Sequence, residues 1–334
     1  MKKTVSVLVP CYNEQDNVVP LAGEITAFFE KRLPQYDYEL VFIDNFSRDM
    51  TRQRITELCA QNPRIKAIFN AKNFGQIRSP FYGLMQTTGD CTILMCADFQ
   101  DPVEMIGDFV RAWEEGYKIV VGIKNKSREN WLMYLLRSIY YRTIHRIAEV
   151  EQIEHFTGFG LYDRAFIDVL RKLDDPMPYM RGIVAELGFE RKEIRYEQQR
   201  RRFGKTKNNW YSLYDYAMVG ITSYSKIVMR LATIFGFISA AVSLAGSVVY
   251  FILKLLYWDR FPAGTAPILI AVLFLGSLQL FFIGFLGEYI LNINTRVMKR
   301  PLVVEERRIN FDPPRAQDAA PSSGAENERN LGGK

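Results

Sequence analysis

The sequence predicts an α/β domain, built on a mostly parallel sheet with helices covering it, followed by two membrane-crossing helices. Three observations predict this. Short β-branched runs alternate with stretches of helical periodicity from Val5 to about Tyr196. Two later runs, Leu231–Leu253 and Pro262–Gly287, hold no charged residue and each exceeds the ~20 residues that cross a bilayer as a helix. At 334 residues the chain has room for one full domain and an appendage.

Taken in order, strands are expected at Val5–Val9, Leu40–Ile43, Ile65–Phe69, Cys91–Cys96 and Ile119–Val121. Helices are expected at Val18–Lys31, Thr51–Ala60, Ile77–Thr87 and Met105–Glu115, with Pro, Gly or Asn at several joints. Asn208–Ile227 carries aromatics at helical spacing directly before the first apolar run, which fits an interfacial helix. Trp131–Ile147 reads equally as membrane-dipping or as packed on the domain. Lys226 and Arg230 before the first span, with Arg296, Lys299 and Arg300 after the second, put the large domain and the C-terminus on the cytoplasmic side of a multi-pass inner-membrane protein. The division is therefore a domain over 1–206, an interfacial helix over 207–228, a membrane hairpin over 229–290, a cytosolic return segment over 291–311 and a disordered tail over 312–334.

A formal charge of +6 suits acidic headgroups or phosphates and is too mild for nucleic acid. All four cysteines lie in the first hundred residues without metal or redox spacing, and read as reduced core thiols. No glycine fingerprint supports a dinucleotide-dependent dehydrogenase or a P-loop ATPase, and the two histidines sit in no protease motif. The N-terminus carries no cleavable signal pattern. Small residues along the first span give it a face for close helix packing, so a homo-oligomer is open.

In a parallel sheet, ligands sit beyond the carboxyl ends of the strands. The first strand ends in Val9-Pro10-Cys11-Tyr12-Asn13-Glu14, where Tyr12 offers a stacking face and Asn13 and Glu14 offer hydrogen bonds. The second runs into Asp44-Asn45-Phe46-Ser47-Arg48-Asp49; Asp44 closes an apolar strand and faces the expected crevice, whereas Ser47 and Asp49 read first as helix caps. Asn73-Phe74-Gly75 precedes a helix, and its glycine permits close backbone approach. The fourth strand ends in Cys96-Ala97-Asp98-Phe99-Gln100-Asp101. Asp98 and Gln100, two apart on an extended chain, can chelate one hard cation, Mg²⁺ or Mn²⁺, with diphosphate and water completing its shell. Asp101 is expected to start the next helix, ahead of Pro102.

These segments, in this order and at these strand ends, resemble the GT-A domain of glycosyltransferase family 2. With two C-terminal membrane helices the whole resembles the polyprenyl-phosphate glycosyltransferase group, which includes dolichyl-phosphate mannose synthases and bactoprenol glucosyltransferases. The resemblance implies inverting transfer of a sugar from a nucleotide diphosphate sugar, a UDP-sugar first, to a polyprenyl phosphate at the cytosolic membrane face. It implies a nucleotide set of Pro10, Tyr12, Asn13, Glu14, Asp44, Asn45, Ser47, Asn73, Gly75 and Asp98. Asp98 with Gln100 would hold the metal, and Asp98 is the catalytic position through which the leaving diphosphate is stabilised. Arg201-Arg202-Phe203-Gly204-Lys205-Thr206-Lys207 is similar to the group's phosphate-binding element, so Arg201, Lys205 and Lys207, with Arg128 and Arg137, are the acceptor-phosphate candidates.

The chain departs from the group's pattern at Cys96 and Asn45, where relatives often carry Asp, and at Gly158 and Gly160, which stand where an acid and a base are common. The alternatives are transfer to another membrane acceptor, a glycolipid or a polysaccharide, and a non-catalytic membrane subunit that binds nucleotide sugars.

Overall fold

Along the first strand, Val5, Val7 and Val9 point to one side of the sheet and Leu8 to the other, the two-residue alternation that buries both faces of a central strand. In the computed structural model, residues 2–125, most of 153–202, scattered residues of 234–256, 265–298 and 300–311 are described. The strands are β1 (Thr4–Cys11), β2 (Asp37–Asp44), β3 (Ile65–Asn70), β4 (Cys91–Leu94), β5 (Ile119–Lys124), β6 (Phe156–Asp163), β7 (Arg191–Tyr196) and β8 (Glu305–Ile309). The helices are α1 (Val18–Arg32), α2 (Thr51–Gln61), α3 (Gly75–Gln86), α4 (Met105–Glu114), α5 (Arg164–Lys172), α6 (Met180–Glu186) and α7 (Thr265–Val297).

The eight strands form one sheet in the order β7-β5-β6-β4-β1-β2-β3-β8. Neighbours among β1 to β4 pair in parallel, and β6 opposes both β4 and β5, so β5 and its parallel partner β7 run with the first four. Only β6 and β8 run the other way, which makes the sheet mostly parallel as the sequence predicts. Side chains of α1, α2 and α4 cover one face and those of α3, α5 and α6 the other, giving two apolar cores.

The nine elements expected before residue 120 are all present, with ends shifted by up to three residues. The elements after β5 have no counterpart in the sequence-based strand list. β6 carries two glycines, and Gly160 is required there by its neighbour: a Cβ would sit 2.4 Å from the Val120 carbonyl oxygen. Gly158 adopts φ +102°, and its carbonyl accepts the Tyr162 hydroxyl at 2.8 Å. Asp163 caps α5 through the Ala165 amide and also accepts from Trp113 Nε1 at 2.7 Å. Arg164 does not pair with it; its guanidinium turns to the carbonyls of Thr87 and Gly89.

From Thr265 on, the second expected span falls in α7, which continues past Glu288 to Val297; residues 262–264 lie outside the described residues. Among the described residues this is the one helix long and apolar enough to cross a membrane, where the sequence predicts two; Phe274–Val297 has mean hydropathy 1.6. The described residues of the first expected span are helical and exposed, and the rest of that span lies outside the described residues. So do the interfacial segment 207–228, the Trp131–Ile147 stretch and the tail. Arg296, at the end of α7, pairs with Asp175 of the α/β domain at 3.4 Å. The chain then returns to add β8 antiparallel to β3, so part of the 291–311 segment is a sheet strand.

Candidate active site at the carboxyl edge of the sheet

Because β1, β2, β3, β4 and β7 run the same way, the segments that follow them gather at one edge. Among the described residues, three of the four non-glycine residues with positive φ stand there: Asn13 (φ 54°) after β1, Phe46 (φ 68°) after β2 and Phe99 (φ 62°) after β4. A left-handed phenylalanine is costly, on the order of 1–3 kcal/mol, and persists only where its surroundings impose it. Each of these turns aims a neighbouring polar side chain.

Beyond β1 and β2 the two turns are stitched together. The Asn13 amide donates to Ser47 Oγ at 2.8 Å, and the Arg48 amide donates back to Asn13 Oδ1 at 2.8 Å. The Glu14 amide donates to Thr51 Oγ1 at 2.9 Å, while the Glu14 carboxylate accepts from Asn17. Ser47 is therefore a cross-link, and neither it nor Asp49 is the N-cap of α2, which is Met50; Asp49 stands one residue earlier and accepts from the Thr51 amide at 3.0 Å. Pro10 and Tyr12 are part-buried beside them.

Asp44 is fully enclosed, which differs from the crevice-facing carboxylate expected of it. Its oxygens accept from the Ser47 amide at 3.1 and 3.3 Å, and Arg52 Nε lies 3.1 Å away. Burial pushes its carboxyl above the usual value, and the Ser47 hydrogen bonds and the Arg52 charge oppose that shift. Asn45 uses its whole amide on the third strand end. It donates to Asn73 Oδ1 at 2.9 Å and to the Gly75 carbonyl at 3.1 Å, and accepts from Asn70 Nδ2 and the Phe74 amide. Asn45, Asn73 and Gly75 are thus brought together as a clamp on the 73–75 turn. Gly75 carries the positive φ, +87°, that starts α3 there.

After β4 the chain is not extended between Asp98 and Gln100, as the chelation argument assumes. The left-handed Phe99 folds it so that the Gln100 amide donates to Asp98 Oδ1 at 3.2 Å. Asp101 does not start the helix either, since α4 begins at Met105. Its buried carboxylate accepts from the Cys96 amide at 3.0 Å and from the Tyr196 hydroxyl at 2.9 Å, holding the turn from below. Burial raises its carboxyl above the usual range, against the pull of those hydrogen bonds. Cys11, Cys59 and Cys91 are buried as expected, but Cys96, past the end of β4, is exposed.

The basic segment after β7 meets this turn directly. The Gln199 amide donates to the Gln100 carbonyl at 3.3 Å, Arg201 Nη2 pairs with Asp98 Oδ2 at 2.7 Å, and the Arg202 guanidinium lies 4.1 Å from the Phe99 ring centroid. Of the acceptor-phosphate candidates, Arg201 is placed here; Arg128, Arg137, Lys205 and Lys207 lie outside the described residues. Sequence reasoning missed Arg52 and gave Asp101 a helix-starting role, because the partners of both are distant in the chain.

Asp98 and Gln100 carry hard oxygen donors of the kind that suits Mg²⁺ or Mn²⁺, and both Asp98 oxygens are engaged here, Oδ1 by the Gln100 amide and Oδ2 by Arg201, so an ion would have to displace Arg201. Among the described residues no group of three or more His, Cys, Asp or Glu side chains is assembled to hold a metal, so other positions would fall to substrate oxygens and water.

Residues 6–170 match the model of glycosyl transferase family 2. The CsbB protein of Bacillus subtilis (strain 168) is 32% identical over 316 residues, covering 94% of this chain and 95% of that protein. The bactoprenol glucosyl transferase of Shigella phage SfX is 30% identical over 299 residues, covering 89% and 97%. Among solved structures, the mannosyltransferase PcManGT from Pyrobaculum calidifontis, in complex with GDP-Man and Mn²⁺, aligns with TM-score 0.46 and 14% identity over 90% of this chain and 87% of that one. On its matches of sequence along nearly its whole length, the chain belongs to glycosyl transferase family 2.

Proposed function

We propose that the protein transfers a sugar from a nucleotide diphosphate sugar to a polyprenyl phosphate at the cytosolic membrane face, with inversion at the anomeric carbon. The observation that carries this reading is the contact of Arg201 with Asp98, which joins a cationic segment to the turn bearing the metal-type donors. Relatives named bactoprenol glucosyl transferases, aligned over most of both chains, support the acceptor class.

A lipid monophosphate has a second pKa near ~6 and arrives ionised, so the enzyme has to position it rather than deprotonate it. A phosphate oxygen attacks the anomeric carbon as the bond to the diphosphate oxygen breaks, and the nucleoside diphosphate leaves with that electron pair. When bound, Mg²⁺ or Mn²⁺ would neutralise charge developing on the diphosphate. Asp98 and Gln100 would hold that ion, Arg201 draws the acceptor phosphate to the same turn, and the cross-linked turns after β1, β2 and β3 cradle the nucleoside. Asp44, enclosed, serves by holding the Ser47 turn in shape. α7, paired to the domain through Arg296, keeps the site at the bilayer.

Membranes carrying the full chain, given radiolabelled UDP-, GDP- and dTDP-hexoses with undecaprenyl phosphate, are expected to form a labelled lipid that mild acid cleaves. An acid-stable glycolipid, a polymer, or no transfer from any of the three donors would overturn the reading.

A further inference from the structure

We infer that Arg52 and Glu306 are positioning residues of the donor pocket, and that the strand following the membrane-length helix completes that pocket. This rests on the reading of the strand-end turns as the nucleotide site.

β8 enters the sheet at the carboxyl end of β3, with Glu305 opposite Asn70, and so arrives beside the turns after β2 and β3. The next residue, Glu306, accepts from Arg52 Nη2 at 2.8 Å. The other edge of that guanidinium, Nε, lies 3.1 Å from Asp44 Oδ2. Its face lies against two rings, Phe69 at 5.1 Å and the left-handed Phe46 at 5.8 Å from the centroids. Asp44 then holds the Ser47 amide at 3.1 Å, and Ser47 Oγ holds the Asn13 amide at 2.8 Å. A continuous line of contacts thus runs from the C-terminal strand to the turn that follows the first strand.

The chemistry of the parts gives the line its direction. An enclosed carboxylate needs a counter-charge to stay ionised, and Arg52 supplies it. A guanidinium is a rigid planar fork, so carboxylates at two of its edges and rings on its face leave it one orientation. Glu306 is half-exposed, and exposed ion pairs contribute little to folding, so its value lies in orienting Arg52.

The test uses the full chain in detergent or nanodiscs, titrated with UDP, GDP and dTDP in the presence of Mn²⁺, alongside steady-state kinetics. Arg52→Gln is expected to weaken nucleotide binding and raise donor KM about tenfold or more, and Glu306→Gln about threefold. In both, kcat at saturating donor and KM for the lipid phosphate should change less than about twofold, a split that general loosening of the fold does not produce. Arg52→Lys, which keeps the charge but loses the fork, should fall between wild type and Arg52→Gln and respond no further to Glu306→Gln. Unchanged nucleotide affinity in Arg52→Gln and Glu306→Gln overturns the inference. So does a parallel loss of donor affinity, acceptor affinity and kcat with a lowered melting temperature. Asp44→Asn separates the two levels: if it, too, binds nucleotide like wild type, the donor-site reading fails, whereas lost affinity there with normal affinity in the other variants sinks the positioning role alone.

Discussion

Arg201 Nη2 lies 2.7 Å from Asp98 Oδ2, although 103 positions separate the two residues. If Asp98 takes a divalent cation, the guanidinium and the cation compete for the same oxygen. Arg201→Gln is then expected to tighten Mn²⁺ binding to the nucleotide-loaded protein about threefold or more while cutting turnover ~100-fold or more. Mn²⁺ titration followed by electron paramagnetic resonance reads the first effect, and equal or weaker affinity in the variant would contradict the competition. In the same titration Asp98→Asn should lose the cation and turnover while keeping a folded circular-dichroism spectrum.

Asn45 spends both halves of its amide on the 70–75 segment, donating to Asn73 and Gly75 and accepting from Asn70 and Phe74, so an aspartate there cannot reproduce it. Asn45→Asp would leave Asn73 Oδ1 and the Gly75 carbonyl facing an acceptor in place of a donor. Because Asn73 and Gly75 are exposed and water can take the lost bonds, a cost of about 0.5–1.5 kcal/mol is expected, read as a lower denaturation midpoint. A variant as stable as wild type would remove the clamp from the account.

Gly160 pairs with Leu94 on one side and Val121 on the other, and its missing side chain is what lets the Val120 carbonyl approach. Gly160→Ala should destabilise by about 1–3 kcal/mol, because a backbone atom rather than a flexible side chain must move. Chemical denaturation measures it, and a neutral outcome would show that β5 and β6 can part without cost.

Cys96 is the exposed one of the four cysteines, at the start of the Asp98 turn. Desolvation of the thiol and the neighbouring Asp101 and Asp98 carboxylates push its pKa up, so maleimide should label the folded protein slowly at neutral pH and faster as pH rises, with the label on Cys96 by peptide mapping. Nucleotide with Mn²⁺ should slow labelling severalfold if the donor diphosphate lies on this turn. Equal labelling with and without them would move the donor elsewhere.

At the opposite edge of the sheet Glu39 is buried, paired with Lys66 at 2.6 Å and bonded by Ser6 at 2.5 Å and by the Thr88 amide at 2.6 Å. Burial alone would raise its carboxyl; the hydrogen bonds from Lys66, Ser6 and Thr88 outweigh that and leave it below the usual glutamate value. A lowered folded value means the group stabilises the fold above the unfolded pKa, and that stability drains away as pH falls through the folded value. Acid unfolding should therefore be less steep in Glu39→Gln, whose stability at neutral pH should already be lower by ~3–5 kcal/mol. Identical acid profiles would contradict this assignment.

The early half of the fold was legible because its signals are local. Val5, Val7 and Val9 alternate around a strand, and Leu21, Ile25 and Phe29 repeat along a helix, so each element declares itself within a few residues. β6, with Gly158 and Gly160, and β7, with Arg191, Lys192, Glu193 and Arg195, lack that pattern, because one is shaped by close backbone approach and the other is a polar edge. β8 reads EERRI and would pass for a solvated charge run; it is a strand only because β3 offers an open edge.

By itself, the sequence determined the α/β class, the strand-end motifs, the apolar run within α7 and the family, all of which depend on residue types at short range. Tertiary structure alone decided which charges meet. Asp98 received Arg201, Asp44 received Arg52 and then Glu306, and Asp101 received Tyr196, because parallel strands deliver their carboxyl ends to one edge whatever their separation along the chain. Pairing across such distances depends on sheet order and on three left-handed turns, and neither is written in the identity of the residues that end up in contact.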